Sequence, residues 1–275
     1  MTRLWGGSQA AETVGADTAT SALTTLTSNA AANTKGSWVE LSATTTYDTA
    51  QIIVWFKRQG TQNFLIDIGI GAAGSEVVLV PNLHIASVLG ITTPNLCFSY
   101  SCPIAVPKGV RLAARCQDGA GSLTIQIGVT LIAASPFNRG YQRAETIGTV
   151  NSILGANIDA GATANTKGSW GQISAATSFD YLAVIPVVYS QSNGPATDQD
   201  GLVDIGIGAA ASEVVVLPNL PFSAESVAGN RSATALPLTG IYIPSGSRVA
   251  ARAQCSTNDD TNSLRRARVG LIGFG

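Results

Sequence analysis

The stretch DIGIGAAGSEVVLVPNL, residues 67–83, decides the fold, because the chain contains it twice. It returns as DIGIGAAASEVVVLPNL at 204–220, and only positions 74, 79 and 80 of the first occurrence differ. Within Phe64–Gly71, isoleucine alternates with aspartate or glycine, which is the period of two that is typical of a β-strand. A glycine turn and a second strand-like run ending at proline follow, so each occurrence predicts two consecutive strands.

Three further motifs repeat in the same order on either side of this stretch. They are AETVG at 11–15 and AETIG at 144–148, NTKGSW at 33–38 and again at 165–170, and PKGVRLAAR at 107–115 with PSGSRVAAR at 244–252. Their order indicates an internal duplication. We expect an N-terminal arm at 1–10, a first domain at 11–133, a linker at 134–143 and a second domain at 144–275.

The remaining sequence also favours strands. Gln51–Phe56 is rich in β-branched and aromatic residues, and Leu123–Leu131 alternates apolar with polar positions. Turn signals separate these runs at the spacing of a sandwich or jelly roll. The predicted class is all-β, with two tandem antiparallel β-sandwich, jelly-roll-like domains. Segments 16–31 and 149–164 stay open between irregular chain, an extended arm and a short helix, and 191–200 and 255–262 are predicted loops.

Composition limits the function classes. Charged residues make up 12% of the 275 residues, about half the share of roughly 25% that is usual, and the net charge is −1. No overall field attracts nucleic acid, and no apolar run has the length of a membrane span or signal peptide, so we expect a protein made in the cytosol, with neither nucleic acid nor membrane as a partner. Small polar residues in place of charge are typical of surfaces that touch other protein.

Cysteine and glycine motifs offer two chemical interpretations, and the sequence favours neither. The four cysteines form no Cys-x-x-Cys pair, so we expect no metal site; Cys97 and Cys102 could meet across a turn, but free buried thiols are the simpler interpretation. Gly69–Gly74 fits the G-x-G-x-x-G dinucleotide pattern. A strand pattern follows it instead of a helix, so we expect no nucleotide cofactor, and no other cofactor is indicated.

Catalytic chemistry has few candidates. His84 is the only histidine, and Pro221 stands at the equivalent position of the second repeat, so a function shared by both repeats cannot use it. We expect His84 to be a loop residue. The carboxylates Asp67 and Glu76, repeated as Asp204 and Glu213, could form an acid/base pair for glycoside hydrolysis. Ion pairs with the repeated arginines, which knit strands or subunits together, are the alternative that we favour. These arginines are Arg111, Arg115, Arg248 and Arg252.

Two tryptophans stand at identical places in the repeats. Trp38 and Trp170 each follow Gly-Ser at the start of a predicted strand. An exposed tryptophan there could stack on a sugar, whereas a buried one would anchor the core, and the second interpretation is favoured.

The repeated motifs resemble a module of virion proteins of tailed bacteriophages. The resemblance rests on Asn-Thr-Lys-Gly-Ser-Trp, Asp-Ile-Gly-Ile-Gly-Ala-Ala-x-Ser-Glu, Pro-Asn-Leu and Pro-x-Gly-x-Arg-x-Ala-Ala-Arg, and both halves carry it. It implies a non-enzymatic β-sandwich subunit of the particle exterior: a capsid decoration or cement protein, a head fibre, or a neck or tail component. Its partners would be other virion proteins and further copies of itself, with a trimer as the state that other decoration and fibre proteins suggest, and its location would be the virion.

A second hypothesis belongs to another class. β-Sandwiches also serve as lectins, so the same fold could be a receptor- or glycan-binding module that uses loop aromatics such as Tyr181, Tyr189 or Tyr242. Glycan sites should be rich in exposed loop aromatics, whereas the repeated blocks are aliphatic strands and turns. That contrast favours assembly.

Overall fold

The computed structural model describes residues 10–17, 19, 22–57, 63–85, 97–135, 139–151, 153–190, 199–224, 237–256 and 266–275. Over these ranges the chain is all-β, built from antiparallel sheets without any helix. None of the described segments is therefore a helix that could cross a membrane.

The N-terminal half forms two sheets. Its strands are β1 Ala11–Val14, β2 Ala16–Asp17, β3 Ala22–Thr27, β4 Val39–Ser42, β5 Thr49–Lys57, β6 Phe64–Ile70, β7 Val77–Ile85, β8 Cys97–Cys102, β9 Leu112–Asp118 and β10 Thr124–Ala133. Sheet A has the order β2-β3-β10-β5-β8, with β1 also paired to β10, and sheet B has the order β4-β9-β6-β7. Leu26, Val54 and Phe56 of sheet A share one apolar core with Ile66 and Ile68 of sheet B, as in a sandwich.

The C-terminal half has the same arrangement. Its strands are β11 Ala144–Ile147, β12 Thr149–Val150, β13 Ile153–Leu154, β14 Ala156–Asp159, β15 Gly171–Ser174, β16 Tyr181–Ser190, β17 Gln199–Ile207, β18 Val214–Ala224, β19 Leu238–Ile243, β20 Val249–Cys255 and β21 Arg266–Phe274. Sheet C has the order β11-β21-β16-β19, with β14 also paired to β21, and sheet D has the order β15-β20-β17-β18. Strands β12 and β13 form a separate small hairpin.

The two halves are packed against each other. Along β16, Val184 and Val188 belong to the core of the C-terminal half, while the alternate residues Ile185, Val187 and Tyr189 belong to the apolar cluster of the N-terminal half. From Val184 to Tyr189, β16 is therefore packed on both faces, and the outer face of sheet C covers part of the N-terminal sandwich there.

Of the predicted linker, residues 136–138 lie outside the described part, and the described residues on either side of them contact the N-terminal half. Tyr141 forms a parallel bridge with Ile104, and the carbonyl of Gly275 accepts hydrogen bonds from the amides of Gln142 and Arg143. The C-terminal residue is thus hydrogen-bonded to the segment that joins the halves. Of the predicted arm, residues 1–9 lie outside the described residues, and the Ala10 carbonyl accepts a bond from Ala133.

Several expectations need correction. Segment 16–31 contains β2 and β3, and segment 149–164 contains β12 to β14, so a short helix is wrong for both. The predicted loop 191–200 ends in strand, because Gln199 and Asp200 belong to β17, and its other residues lie outside the described part.

The cysteines of β8 do not meet across a turn. Cys97 and Cys102 stand at the two ends of that strand, opposite Lys57 and Ile52 respectively, and Cys102 is a free buried thiol. Loop 255–262 likewise begins in strand, since Cys255 ends β20, and residues 257–262 lie outside the described part.

Candidate functional site

The repeated carboxylate Asp67 stands at the centre of an ionic cluster on the outer face of sheet B. Its side chain is buried and accepts hydrogen bonds from Lys35 Nζ at 2.7 Å, Arg115 Nε at 2.9 Å and the backbone amide of Asn82 at 3.0 Å. Burial lowers the pKa of Lys35, although the neighbouring Asp67 carboxylate opposes that shift. Every group in this cluster has a charged or hydrogen-bonding partner.

The same cluster recurs on sheet D. Asp204 accepts bonds from Lys167 Nζ at 2.9 Å, Arg252 Nε at 3.0 Å and the Asn219 amide at 2.9 Å. Burial alone would raise the pKa of Asp204, but these hydrogen bonds outweigh it and hold the pKa below its usual value. Asn82 and Asn219 both have a positive φ of 53°, which turns their amides toward the carboxylates.

The repeated tryptophans cover the clusters from outside. The Arg115 guanidinium lies 4.5 Å from the centre of the Trp38 ring, and Arg252 lies 4.8 Å from that of Trp170. Both tryptophans are half-buried on the outer faces of their sheets. They were expected as core anchors, but they lie above Gly69 of β6 and Gly206 of β17, outside the sandwich core.

Gly69 provides the surface on which Trp38 rests. A Cβ at Gly69 would lie 2.6 Å from the Trp38 ring, and one at Gly206 would lie 2.7 Å from Trp170. Glycine at these strand positions therefore serves the close approach of an aromatic ring, not phosphate binding. The dinucleotide pattern is excluded by the same geometry, since β7 follows the turn where a Rossmann fold would have a helix.

We predict that Gly69→Ala lowers the free energy of unfolding by about 1–3 kcal/mol, because the new methyl group displaces the Trp38 ring. Gly119→Ala is the matched control: a Cβ there meets no atom within 4 Å and Gly119 does not have a positive φ. Urea denaturation of both variants checks this. Equal stability of the two would contradict the packing of Trp38 on Gly69.

A second repeated ion pair lies at the other end of the same strands. Arg111 contacts Glu76 at 2.8 Å and Glu40 at 2.7 Å, and Arg248 contacts Glu213 at 2.7 Å. In the second half the counterpart of Glu40 is Gln172, which accepts a bond from Arg248 at 3.0 Å. The structure thus assigns Asp67 and Glu76 to different arginines, each within its own ion pair.

Sequence reasoning missed two members of the clusters. Lys35 and Lys167 complete the ionic contacts of Asp67 and Asp204. The available signal was their place inside the motif NTKGSW, the one stretch of six residues that repeats without change around a tryptophan already singled out. Within the described residues, His, Cys, Asp and Glu form no group of three that could hold a metal ion.

Two predictions about single residues are wrong. His84 is not a loop residue: it lies in β7, is 1% exposed, and stacks on Tyr189 of the C-terminal half with ring centres 5.0 Å apart. Tyr181 and Tyr189 are not loop aromatics, since both are buried in β16. Of the three tyrosines proposed for glycan binding, only Tyr242 has an exposed side chain: it lies in β19 and is 56% exposed.

Comparison with known proteins finds only distant structural likenesses. No protein family matches the sequence, and no curated protein sequence does. Solved structures of similar architecture include viral capsid proteins. The STIV MCP has a TM-score of 0.39 at 9% identity, over 98% of this chain and 96% of that one. The broad bean stain virus structure has 0.32 at 10% identity, over 100% and 92%.

PNGF-II is similar to the same degree, with a TM-score of 0.39 at 10% identity. The match covers 96% of this chain, which spans 65% of the length of PNGF-II. The three TM-scores are below 0.5, so these likenesses say nothing about the function of this chain.

Proposed function

We propose that the protein is a non-enzymatic structural protein of a bacteriophage virion, which decorates or stabilises the particle exterior through contacts between subunits. A capsid decoration or cement protein fits best, and a neck or tail component is the other placement. The proposal rests on the motifs of both repeats that resemble tailed-phage virion proteins, and on one feature of the described surface.

That feature is an exposed apolar strand edge that occurs twice. Val77 is 68% exposed and Val78 38%, at the start of β7, and Val214 and Val215 are 66% and 37% exposed at the same place in β18. Both strands are at the edges of their sheets. Single exposed apolar residues are ordinary, but a matched pair on two edge strands suits two equivalent contacts with protein neighbours.

The charged residues beside these edges favour assembly over catalysis. Glu76 and Glu213 immediately precede the exposed valines. Glu76 forms an ion pair with Arg111, and Glu213 forms one with Arg248. An acid/base pair needs carboxyl groups that are free to exchange protons with a substrate. Carboxylates held in repeated ion pairs suit a rigid surface instead.

Glycan binding is the second candidate, and the exposed Tyr242 ring is the observation that favours it. An aromatic face that is half open to solvent can stack on a sugar ring. Tyr242 has no exposed aromatic counterpart in the repeat pattern, whereas the valine edges do. The second candidate therefore leaves the duplication without a role.

The experiment is to add the purified protein to phage particles that lack it and to count bound copies by quantitative gel and electron microscopy. Hundreds of copies over the head would establish decoration, and a few tens or fewer at one vertex or along the tail would place it in the neck, tail or a fibre. No binding would overturn the proposal, and binding to a glycan array would then support the alternative.

A matched set of variants sharpens this experiment. We expect the double variant Val77→Asp, Val214→Asp to lose particle binding, because a carboxylate on each edge strand would have to be desolvated in the contact. Tyr242→Ser should bind particles as the unaltered protein does. The reverse pattern would contradict assembly through the valine edges and point to Tyr242 as the binding residue.

A further inference from the structure

The contact between the two halves is made by different surfaces on each side. The N-terminal half contributes the outer face of sheet B, where Leu65 lies between its strand partners His84 and Gln117. We call these three residues the acceptor face. Leu65 is fully buried, and His84 and Gln117 are 1% and 8% exposed.

The C-terminal half contributes the outer face of sheet C, which we call the donor face. Its strand β16 presents Ile185, Val187 and Tyr189 to the N-terminal half. Tyr189 stacks on His84, and the Thr146 hydroxyl donates to the Pro81 carbonyl. The contact is therefore head-to-tail, because donor and acceptor are different parts of the repeated fold.

The C-terminal half carries its own acceptor face, which is open. Leu202 has the strand partners Pro221 and Gln254, in the register of Leu65 with His84 and Gln117. Leu202 and Gln254 are partly exposed and Pro221 is exposed. Together with Asp200 these residues line a cleft of about 340 Å³.

The N-terminal half carries its own donor face, which is also open. Ile53 and Trp55 of β5 occupy the places that Ile185 and Val187 occupy in β16. Their strand partners also correspond: Thr130 and Gly128 in the N-terminal half, Ile272 and Gly270 in the C-terminal half. Trp55 is 38% exposed at this place. Thr13 stands where Thr146 stands, since both occupy the third position of the repeated Ala-Glu-Thr motif.

We infer that the donor face of one copy of this chain docks on the acceptor face of another, repeating between chains the contact that joins the halves within one. The occupant of the cleft is thus the surface around Trp55 of a second copy. Thr13 of that second copy would donate to the Pro218 carbonyl of the copy that carries the cleft, where Pro218 is exposed and equivalent to Pro81. Lys57, at the position of Tyr189, would approach the carboxylate of Asp200.

A head-to-tail contact leaves one donor and one acceptor face free at the ends of any open assembly. Copies therefore either close into a ring or continue as a filament, and an isolated pair is not the end state. The biological role of this association rests on the proposed function, in which subunits contact one another on the particle. The inference adds which surfaces of the chain make those contacts between copies.

The experiment is light scattering of the purified full chain after size exclusion, without any other virion protein. We expect an assembly larger than a dimer, and expect Trp55→Glu and Pro221→Glu each to elute as a monomer. Mixed in equal amounts, the two variants should form a dimer and no larger assembly. Trp55→Glu keeps an intact acceptor face and Pro221→Glu keeps an intact donor face, so a mixed pair can form only one contact. Tyr242→Glu, a change at an exposed side chain that belongs neither to the cleft lining nor to the surface around Trp55, should assemble normally.

A monomer at every concentration of unaltered protein would overturn the inference, and so would variants that assemble or that fail to recombine on mixing. Circular dichroism and thermal unfolding establish that each variant is folded. If Trp55→Glu is unfolded, Lys57→Glu replaces it as the donor-face variant. Particle binding is measured separately, so a protein that assembles but binds no particle would sink the proposed function and leave this inference standing.

Discussion

Asp67→Ala should lower the free energy of unfolding by about 3 kcal/mol, because removing one partner of a buried ion pair leaves the others without compensation. Asp67 is 3% exposed and neutralises both Lys35 and Arg115. The variant leaves the Lys35 ammonium, whose side chain is 17% exposed, in a site with no other acid among its ionic contacts. Urea denaturation at pH 7 measures the loss.

Glu40→Ala is the matched control for this prediction. Glu40 also pairs with an arginine, Arg111 at 2.7 Å, but its side chain is 49% exposed. Exposed pairs contribute less than about 1 kcal/mol, so this variant should stay close to the unaltered protein. Asp204→Ala should repeat the large loss in the other half, and equal small losses for all three would contradict the structural role of the clusters.

His84→Phe should make the protein resist acid. Burial, with a smaller contribution from the charge on Arg268, lowers the pKa of His84 from 6.5 to about 3. Between these two values the unfolded chain binds more protons than the folded one, so stability falls as the pH falls below 6.5. The loss amounts to about 1.4 kcal/mol for each pH unit, or roughly 2 kcal/mol by pH 5.

Phenylalanine keeps a ring against Tyr189 and cannot be protonated, so the variant should lack that part of the acid sensitivity. Both ring nitrogens of His84 are buried without a hydrogen-bond partner in the described structure. At pH 7.5 the variant should therefore be at least as stable as the unaltered protein. Urea midpoints at pH 7.5 and pH 5 for both proteins check this, and equal acid losses would contradict a neutral, buried His84 between the halves.

The strands and their core faces could be predicted from the sequence, because period two assigns alternate residues to opposite faces. Ile66 and Ile68 of β6 are in the sandwich core, as that period predicts. The period could not tell what lies on the other face. Leu65 lies on that other face, beside Asp67, and sheet C covers it, which only the packing of the two halves shows.

The candidate site was predictable in its charges and less so in its geometry. Repetition of Asp67 and the arginines predicted ion pairs, and the structure contains Arg115–Asp67 and Arg111–Glu76 contacts. The lysine of NTKGSW was overlooked because its partner lies 32 residues away in the chain. The change from His84 to Pro221 argued against a function shared by both repeats, and the structure places these residues on acceptor faces that are covered in one half and open in the other.

The most direct test of the proposed virion role is to purify virions from a phage lysate in which this chain is produced and to count its copies per particle by quantitative mass spectrometry. We predict a fixed number of copies for each particle, which stays with the particles through repeated purification. A chain that is abundant in the lysate but absent from purified particles would contradict the account of a virion structural protein.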